Sequence, residues 1–441
     1  MLGMTLLSAC QGQAEALPAD TSISGDPTPS RALAFDGAAP RNVIMISIDT
    51  VERSRMGRYS GSGLTPRLAS LAENGVSLDD HASCSSWTYS SINCALIGRY
   101  NQDLGYEPRV GEAETALPLP PDAVPLAEIL GNAGFQTRLI STNGLLSETT
   151  ETARGYTEVE MALDVVAEGV TRRVLEQADT LTEPFLLHVH YMDPHMPYAP
   201  PVAFTPEVVK GLDPVPWDLS TKEGTAEARE AWEGLTGPER ANLLAWLTAL
   251  YEGELAYTDD AVGALLDGLD AAGKLADSLV VVWSDHGEEF QEHGALGHGV
   301  QLHSDQADGI GIFWASNIVP DAYSAPTTHN DLVPTVLDAL GMEIPADVSG
   351  TALGAATSGT RFAFLWTKDG NAAASVERGG LKLIYDWRGR KELYDRNLDR
   401  NEAADHYTSD DPDVEALWAL LRPRVVKQAA VIGLEPVDMG P

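Results

Sequence analysis

The chain has 441 residues, 44% hydrophobic and 21% charged, enough apolar material for a large buried core. Its formal net charge of -36 excludes nucleic acid or an anionic membrane surface as a partner, since either requires a basic patch; the charge fits work at high ionic strength, where self-repulsion is screened. The three cysteines, Cys10, Cys84 and Cys94, make no C-x-x-C pattern and so no thiolate zinc site, and no run of 18 apolar residues predicts a membrane-spanning helix.

The first ten residues end in Leu7-Ser-Ala-Cys10, which resembles the lipobox of bacterial lipoprotein signals, although a basic n-region is lacking and the apolar part is short. The other reading is a floppy N-terminus. Residues 11–40 are rich in Ala, Pro, Ser, Asp and Gly without periodicity and predict a disordered linker. Together these predict an exported, periplasmic or cell-surface protein, tethered to a membrane through Cys10. Export would permit a Cys84–Cys94 disulfide.

Asn42 to Ile48 is an apolar, β-branched run closed by Asp49 and predicts a buried strand. Thr65 to Gly75 predicts a helix with Thr65 as N-cap, Pro66 in the first turn and Gly75 as the stop. Val76 to Leu78 starts a short strand. Cys84 to Gly98 runs from hydroxyl-rich to apolar, which places Thr88 at a helix N-terminus, where free N–H groups favour an anion. On this segment alone Thr88 or Ser90 reads as an N-cap.

Residues 122–134 predict a helix, 136–141 a strand, 162–181 a mostly helical stretch and 184–190 a further strand. The prolines at 194 and 197 put His195 on a loop just past that strand. Residues 225–275 read as helical with a break at Gly237-Pro238, and the acids of 251–266 read as a solvated face. Leu279 to Trp283 repeats the buried-strand pattern and ends on Asp285 and His286, with His293 and His298 in the glycine-rich stretch beyond. Residues 310–315 predict a strand and 329–341 a helix. Alternating βα units predict a mainly parallel α/β sheet, and parallel sheets collect ligands beyond their carboxyl ends. The last ~90 residues differ: short strands at 361–366, 373–378, 381–385 and 391–394, then a helix from Pro412 to about Lys427, predict a small antiparallel sheet closed by a helix.

In order and spacing these pieces resemble the sulfatase family of the alkaline phosphatase superfamily, from about Arg41 to Leu421. The strand to Asp49, the Thr65–Gly75 helix, Ser284-Asp-His-Gly-Glu-Glu288 with Gly297-His-Gly299, and Gly380 to Tyr385 with Glu392 to Asp395 carry the likeness. The resemblance implies an alkaline-phosphatase-like three-layer sandwich. The expected division is 1–40 for the leader and linker, 41–355 for the catalytic α/β domain and 356–441 for the small sheet and helix. It also implies a hydrolase of anionic esters.

One feature of the family is missing. Its C-x-P-x-R motif, whose cysteine becomes formylglycine, is here Thr88-Tyr-Ser-Ser-Ile92, so formylglycine is not expected. The stretch is similar instead to the branch of the superfamily in which an unmodified threonine attacks phosphorus. This implies Thr88 as nucleophile, Asp49, Thr88, Asp285 and His286 as ligands of one divalent metal ion (Zn, Mn, Ca or Mg), and His195 and His298 at the substrate oxygens or leaving group. Asp193 with His298 is an alternative second metal pair. A phosphodiester or phosphonate ester is the expected substrate, on a small molecule, glycan or lipid headgroup. The alternatives are a sulfate ester, phosphotransfer, or an inactive binding protein.

Overall fold

A computed structural model describes residues 33–108, 116–366 and 372–440. The lipobox-like start with Cys10 and most of the expected linker lie outside these residues. At the linker's far end the expectation of disorder does not hold. Leu33 and Phe35 pack against the main core, and Phe35 bridges antiparallel to Ile318.

Apolar, β-branched runs that need cover on both faces build the central sheet. Its strands are β1 (Asn42–Ile48), β2 (Val76–Leu78), β3 (Gln136–Ser141), β4 (Glu158–Met161), β5 (Phe185–Tyr191), β6 (Ser278–Ser284), β7 (Gly311–Trp314) and β8 (Asp321–Tyr323). They lie in the order β8-β2-β7-β6-β1-β5-β3-β4. β1 pairs in parallel with both β5 and β6, β3 pairs in parallel with β4 and β5, and β7 runs antiparallel to β6 and β2. The carboxyl ends of β6, β1 and β5 are therefore neighbours, and the residues after them converge.

Strand alternation divides the core. Ile44, Ile46 and Ile48 face a cluster that takes in Leu68 and Ala72 of helix α1 (Pro66–Glu73). Further helices on that face are α4 (Ala167–Gln177) and the long α6 (Gly237–Ala271), which follows α5 (Lys222–Ala231). Val43 and Met45 face α2 (Thr88–Ile97), α3 (Leu126–Asn132) and α7 (Leu332–Ala339) on the other side. Helices on both faces of a mainly parallel sheet are the expected three layers.

Three local expectations need correction. The helix expected over 122–134 begins only at Leu126, because Pro125 holds an extended backbone just before it. Gly75 does not stop α1 through a left-handed backbone. A Cβ there would lie 2.4 Å from the Phe313 carbonyl oxygen, so close approach to β7 requires the glycine. The acids of α6 are not all solvated. Asp259 is buried and accepts from the backbone N–H groups of Arg67 and Leu68, so it caps α1 across the interface. Glu254 is buried too and accepts from Ala199 N.

Residues 361–395 form a separate antiparallel sheet, β9 (Arg361–Trp366), β10 (Ala372–Arg378), β11 (Leu381–Asp386) and β12 (Lys391–Asp395), in sequential order. Helix α8 (Pro412–Ile432) covers it through Val414, Leu417, Trp418 and Leu421. Two ion pairs tie this sheet to the larger one, Arg361 with Asp80 and Arg396 with Asp308, and Glu377 of β10 pairs with both arginines from within the small sheet.

Cys84 and Cys94 are disulfide-bonded, with Cα atoms 6.4 Å apart. The bond ties the approach to α2 onto the helix itself and closes a short loop around Thr88. Loop-closure entropy gives about 2–3 kcal/mol for a ring of this size. A Cys84→Ser/Cys94→Ser protein is expected to lose that much, read as an earlier urea midpoint. Wild type in reductant should unfold at the same earlier midpoint, and coincident curves with and without reductant would show that the bond adds nothing.

Candidate metal and active site

β1 and β6 stop on Asp49 and Asp285, side by side, because the two strands are in register. Both carboxylates are fully buried, with 0% exposure. Asp285 Oδ1 accepts from the backbone N–H groups of Thr50 (3.0 Å) and His286 (2.8 Å). Asp49 Oδ2 accepts from Asn143 Nδ2 at 3.0 Å, from the loop after β3. Asp49 Oδ1 and Asp285 Oδ2 have no hydrogen-bond partner.

Thr50 sits at φ +54, in the left-handed region that a β-branched residue rarely enters. Tyr251 of α6 holds this turn: its Oη donates to Thr50 O and accepts from Glu52 N. The turn aims Thr50 N at Asp285. Strain kept in place by surrounding contacts is common at functional sites.

Thr88 opens α2. The N-cap is Trp87, without a side-chain cap, so neither Thr88 nor Ser90 spends its hydroxyl in that role. Thr88 Oγ1 lies 3.0 Å from His286 Nε2, and His286 Nδ1 lies 2.9 Å from the Gly287 carbonyl oxygen. A carbonyl only accepts, so the proton is on Nδ1, and the Nε2 lone pair accepts from the Thr88 hydroxyl. Burial pulls the His286 pKa down, which favours the neutral ring. Gly287 is dictated by packing: a Cβ would lie 2.0 Å from the Asp305 carbonyl oxygen.

Burial, and then the Asp49 charge, push the Asp285 carboxyl up to about 7. At Asp49 burial also raises the pKa, but His195, His190 and His286 outweigh it and the group is held well below its usual value. One ligand atom each from Asp49, Asp285 and His286 lies within 4.8 Å of the others. Two buried carboxylates with unpartnered oxygens facing a neutral imidazole are a donor set that fits a divalent cation.

His195 lies on the loop after β5, and its Nδ1 donates to Met196 O at 2.6 Å. Its ring centroid is 5.0 Å from that of His298, which is 4.4 Å from that of His286. His298 Nδ1 donates to Glu288 Oε1 at 3.0 Å, and Tyr198 Oη donates to Glu288 Oε2 at 3.0 Å. Burial raises the Glu288 pKa, yet His298, His195 and His286 outweigh it and hold the group ionised. All six residues expected at the site are thus brought together at the carboxyl edge of β6, β1 and β5.

The alternative second pair gains no geometry. Asp193 turns to Glu254: burial raises the Asp193 carboxyl although that contact lowers it, while burial and the Asp193 charge together raise Glu254 to about 8. Sequence reading missed Thr50, Asn143, Glu288, Tyr198 and His190. Asn143 had a usable signal, a polar residue just past a strand end in the same sheet.

A second group of donors, Glu289, His293 and Asp305, is filled by its own contacts. Glu289 accepts from two backbone N–H groups and from the side chains of Gln301 and Gln306. His293 Nδ1 is 2.7 Å from Asp305 Oδ1, and its Nε2 is 2.9 Å from the Glu402 carbonyl. Both ring nitrogens face acceptors. Burial lowers the His293 pKa, but the Asp305 contact outweighs it and raises the group to about 9, so an imidazolium–carboxylate pair occupies the place.

Comparison with known proteins agrees with the architecture. The family profile described as Sulfatase matches residues 41–342. The N-acetylglucosamine-6-O-sulfatase of Bacteroides thetaiotaomicron is 21% identical over 397 residues, covering 71% of this chain and 70% of that protein. A solved structure in complex with its substrate D-glucosamine-2-N,6-O-disulfate superposes with a TM-score of 0.70 at 17% identity, over 90% of this chain and 99% of that one. The phosphonate monoester hydrolase of Silicibacter pomeroyi gives 0.65 at 20% identity, over 90% and 96%. The two likenesses of structure speak for the fold.

Proposed function

The chain belongs to the sulfatase family of the alkaline phosphatase superfamily, hydrolases of sulfate and phosphate ester bonds, and on that premise we propose that it hydrolyses an anionic ester with Thr88 as the nucleophile. Asp49, Asp285, His286 and Thr88 Oγ1 would hold one divalent cation. The observation that carries this reading is the Thr88 Oγ1–His286 Nε2 approach of 3.0 Å, beside two buried carboxylate oxygens without partners.

When bound, such a cation supplies Lewis-acid polarisation, which lowers the pKa of a hydroxyl and offsets charge on an oxyanion. The remaining roles fall to the chain itself. The uncapped N-terminus of α2 offers free N–H groups to the anionic ester. The Gly287 carbonyl keeps His286 in the tautomer that turns its Nε2 lone pair towards Thr88 and the proposed cation position. His195 and His298 stand where they can bind substrate oxygens or protonate the leaving group. Glu288, fixed by Tyr198, holds His298 in orientation.

Threonine at position 88 bears on the substrate. A formylglycine hydrate expels sulfate by losing the proton of its second hydroxyl. A threonine sulfate ester has no such exit, whereas water can attack a threonine phosphate ester. This favours a phosphodiester or phosphonate ester. A sulfated glycan is the second reading, because a relative aligned over 71% of this chain is an N-acetylglucosamine-6-O-sulfatase. The disulfide supports an oxidising, extracytoplasmic setting. Among the described residues no helix is long and apolar enough to cross a membrane.

Parallel turnover of p-nitrophenyl sulfate, its phosphate monoester and its phosphodiester tests the reading, with Zn, Mn, Mg or Ca supplied in turn. Phosphodiester turnover above sulfate turnover is the expected result. Sulfate turnover alone would overturn the substrate preference and leave the hydrolase reading intact. No turnover of any ester with any metal would favour a binding protein.

A further inference from the structure

The alternation of β5 puts Phe185, Leu187, Val189 and Tyr191 into one core and Leu186 into the other, on the face shared with His188 and His190. Both histidines are fully buried. Buried imidazoles are costly unless their nitrogens find partners. Ser47 of β1 stands opposite His190 in register. Its Oγ is 2.9 Å from His188 Nε2 and 2.9 Å from His190 Nδ1. His188 Nδ1 is 2.8 Å from Oη of the half-buried Tyr156, which leads into β4. The far end differs. His190 Nε2 has no hydrogen-bond partner and faces Asp49 Oδ2 at 3.6 Å. A line of hydroxyl and imidazole groups thus runs from near the surface, along the sheet, to the Asp49 carboxylate.

Each group in this line gives one proton, so it has two self-consistent directions. In one, Tyr156 donates to His188 Nδ1, His188 Nε2–H to Ser47, Ser47 to His190 Nδ1, and His190 turns an N–H towards Asp49. In the other, His190 presents a lone pair to a carboxylate, which is repulsive. Burial favours a neutral His188 ring and a protonated phenol: it draws His188 down to about 3 and raises Tyr156 well above its usual value. Mutual satisfaction alone would explain three links, but not why the last nitrogen is left free and aimed at Asp49.

We propose that Tyr156, His188 and Ser47 fix His190 as an Nε2–H donor that, with Asn143, holds Oδ2 of the Asp49 carboxylate and leaves Oδ1 free, making His190 a positioning residue of the cation site. This rests on Asp49 being a cation ligand. The test combines 15N NMR of the histidine side chains with calorimetric Mn2+ binding for wild type, His190→Phe, His190→Gln and Tyr156→Phe. The expected spectra show His188 and His190 neutral with the proton on Nε2, and a mixture of tautomers at His188 in Tyr156→Phe. Outer contacts of this kind change metal affinity by about 10–100-fold, so His190→Phe should weaken Mn2+ binding in that range. His190→Gln, which keeps an N–H near the same point, should recover most of it. A proton on His190 Nδ1, or unchanged Mn2+ affinity in a folded His190→Phe, overturns the positioning role while the cation site stands. Wild-type protein that binds none of Mn2+, Zn2+, Mg2+ and Ca2+ in the same calorimeter removes the underlying reading, and the positioning role with it.

Discussion

Thr88→Ala is expected to lower ester turnover by at least about a thousandfold, as removal of a nucleophile does. The fold should be indifferent to the change. Thr88 is the first residue of α2, where alanine is a better helix former than threonine, and its side chain caps nothing. The substitution takes away the hydrogen bond to His286 Nε2, but that ring stays anchored through Nδ1 to Gly287. Activity and stability should therefore separate: kcat/KM on the activated ester collapses and Tm stays within a few degrees of wild type. Thr88→Ser, which keeps the oxygen, should retain turnover. A Thr88→Ala protein that is folded and fully active would mean that water attacks the ester directly and that Thr88 only lines the pocket.

The carboxyl edge of the sheet was legible in the sequence because three apolar runs each end in chemistry: Asp49, Asp285-His286, and the loop with His195. Parallel strands must end together, so these residues had to meet. Most of the residues that tune them were not legible. Glu288 and His190 act through partners 10 and 141 or more positions away in the chain, and only Asn143, just past a strand end, carried a signal of its own. His190 in particular sits inside a strand, where period-2 alternation marks it only as a buried histidine. The acids of α6 were misread for a related reason. Helical periodicity separates faces, but it cannot say that Asp259 meets the N-terminus of another helix and is satisfied there. Gly75 and Gly287 show the same limit: both are required by a neighbouring carbonyl oxygen that only the folded chain supplies.

Asp285→Asn should change the sign of its effect on stability with the metal present or removed. The substitution keeps the side-chain shape, and Oδ1 can still accept from Thr50 N and His286 N. What it removes is a negative charge, fully buried beside Asp49, whose other oxygen has no partner. In EDTA this charge is a liability, because burial and the neighbouring carboxylate both oppose it, so the variant should melt at or above the wild-type temperature. With Mn2+ the order should reverse. A ligand that binds only the folded state adds about 2.7 kcal/mol at a hundred times its Kd, a gain open to the wild type and largely closed to the variant. Activity should fall with it by about a thousandfold, since the cation's share of charge stabilisation is lost. Thermal melts of both proteins in EDTA and in Mn2+ give the four temperatures needed. A wild type whose melt ignores Mn2+, Zn2+, Mg2+ and Ca2+ alike would remove the cation from this site. A variant less stable than wild type in EDTA would mean that the Asp285 charge is matched by the protein itself.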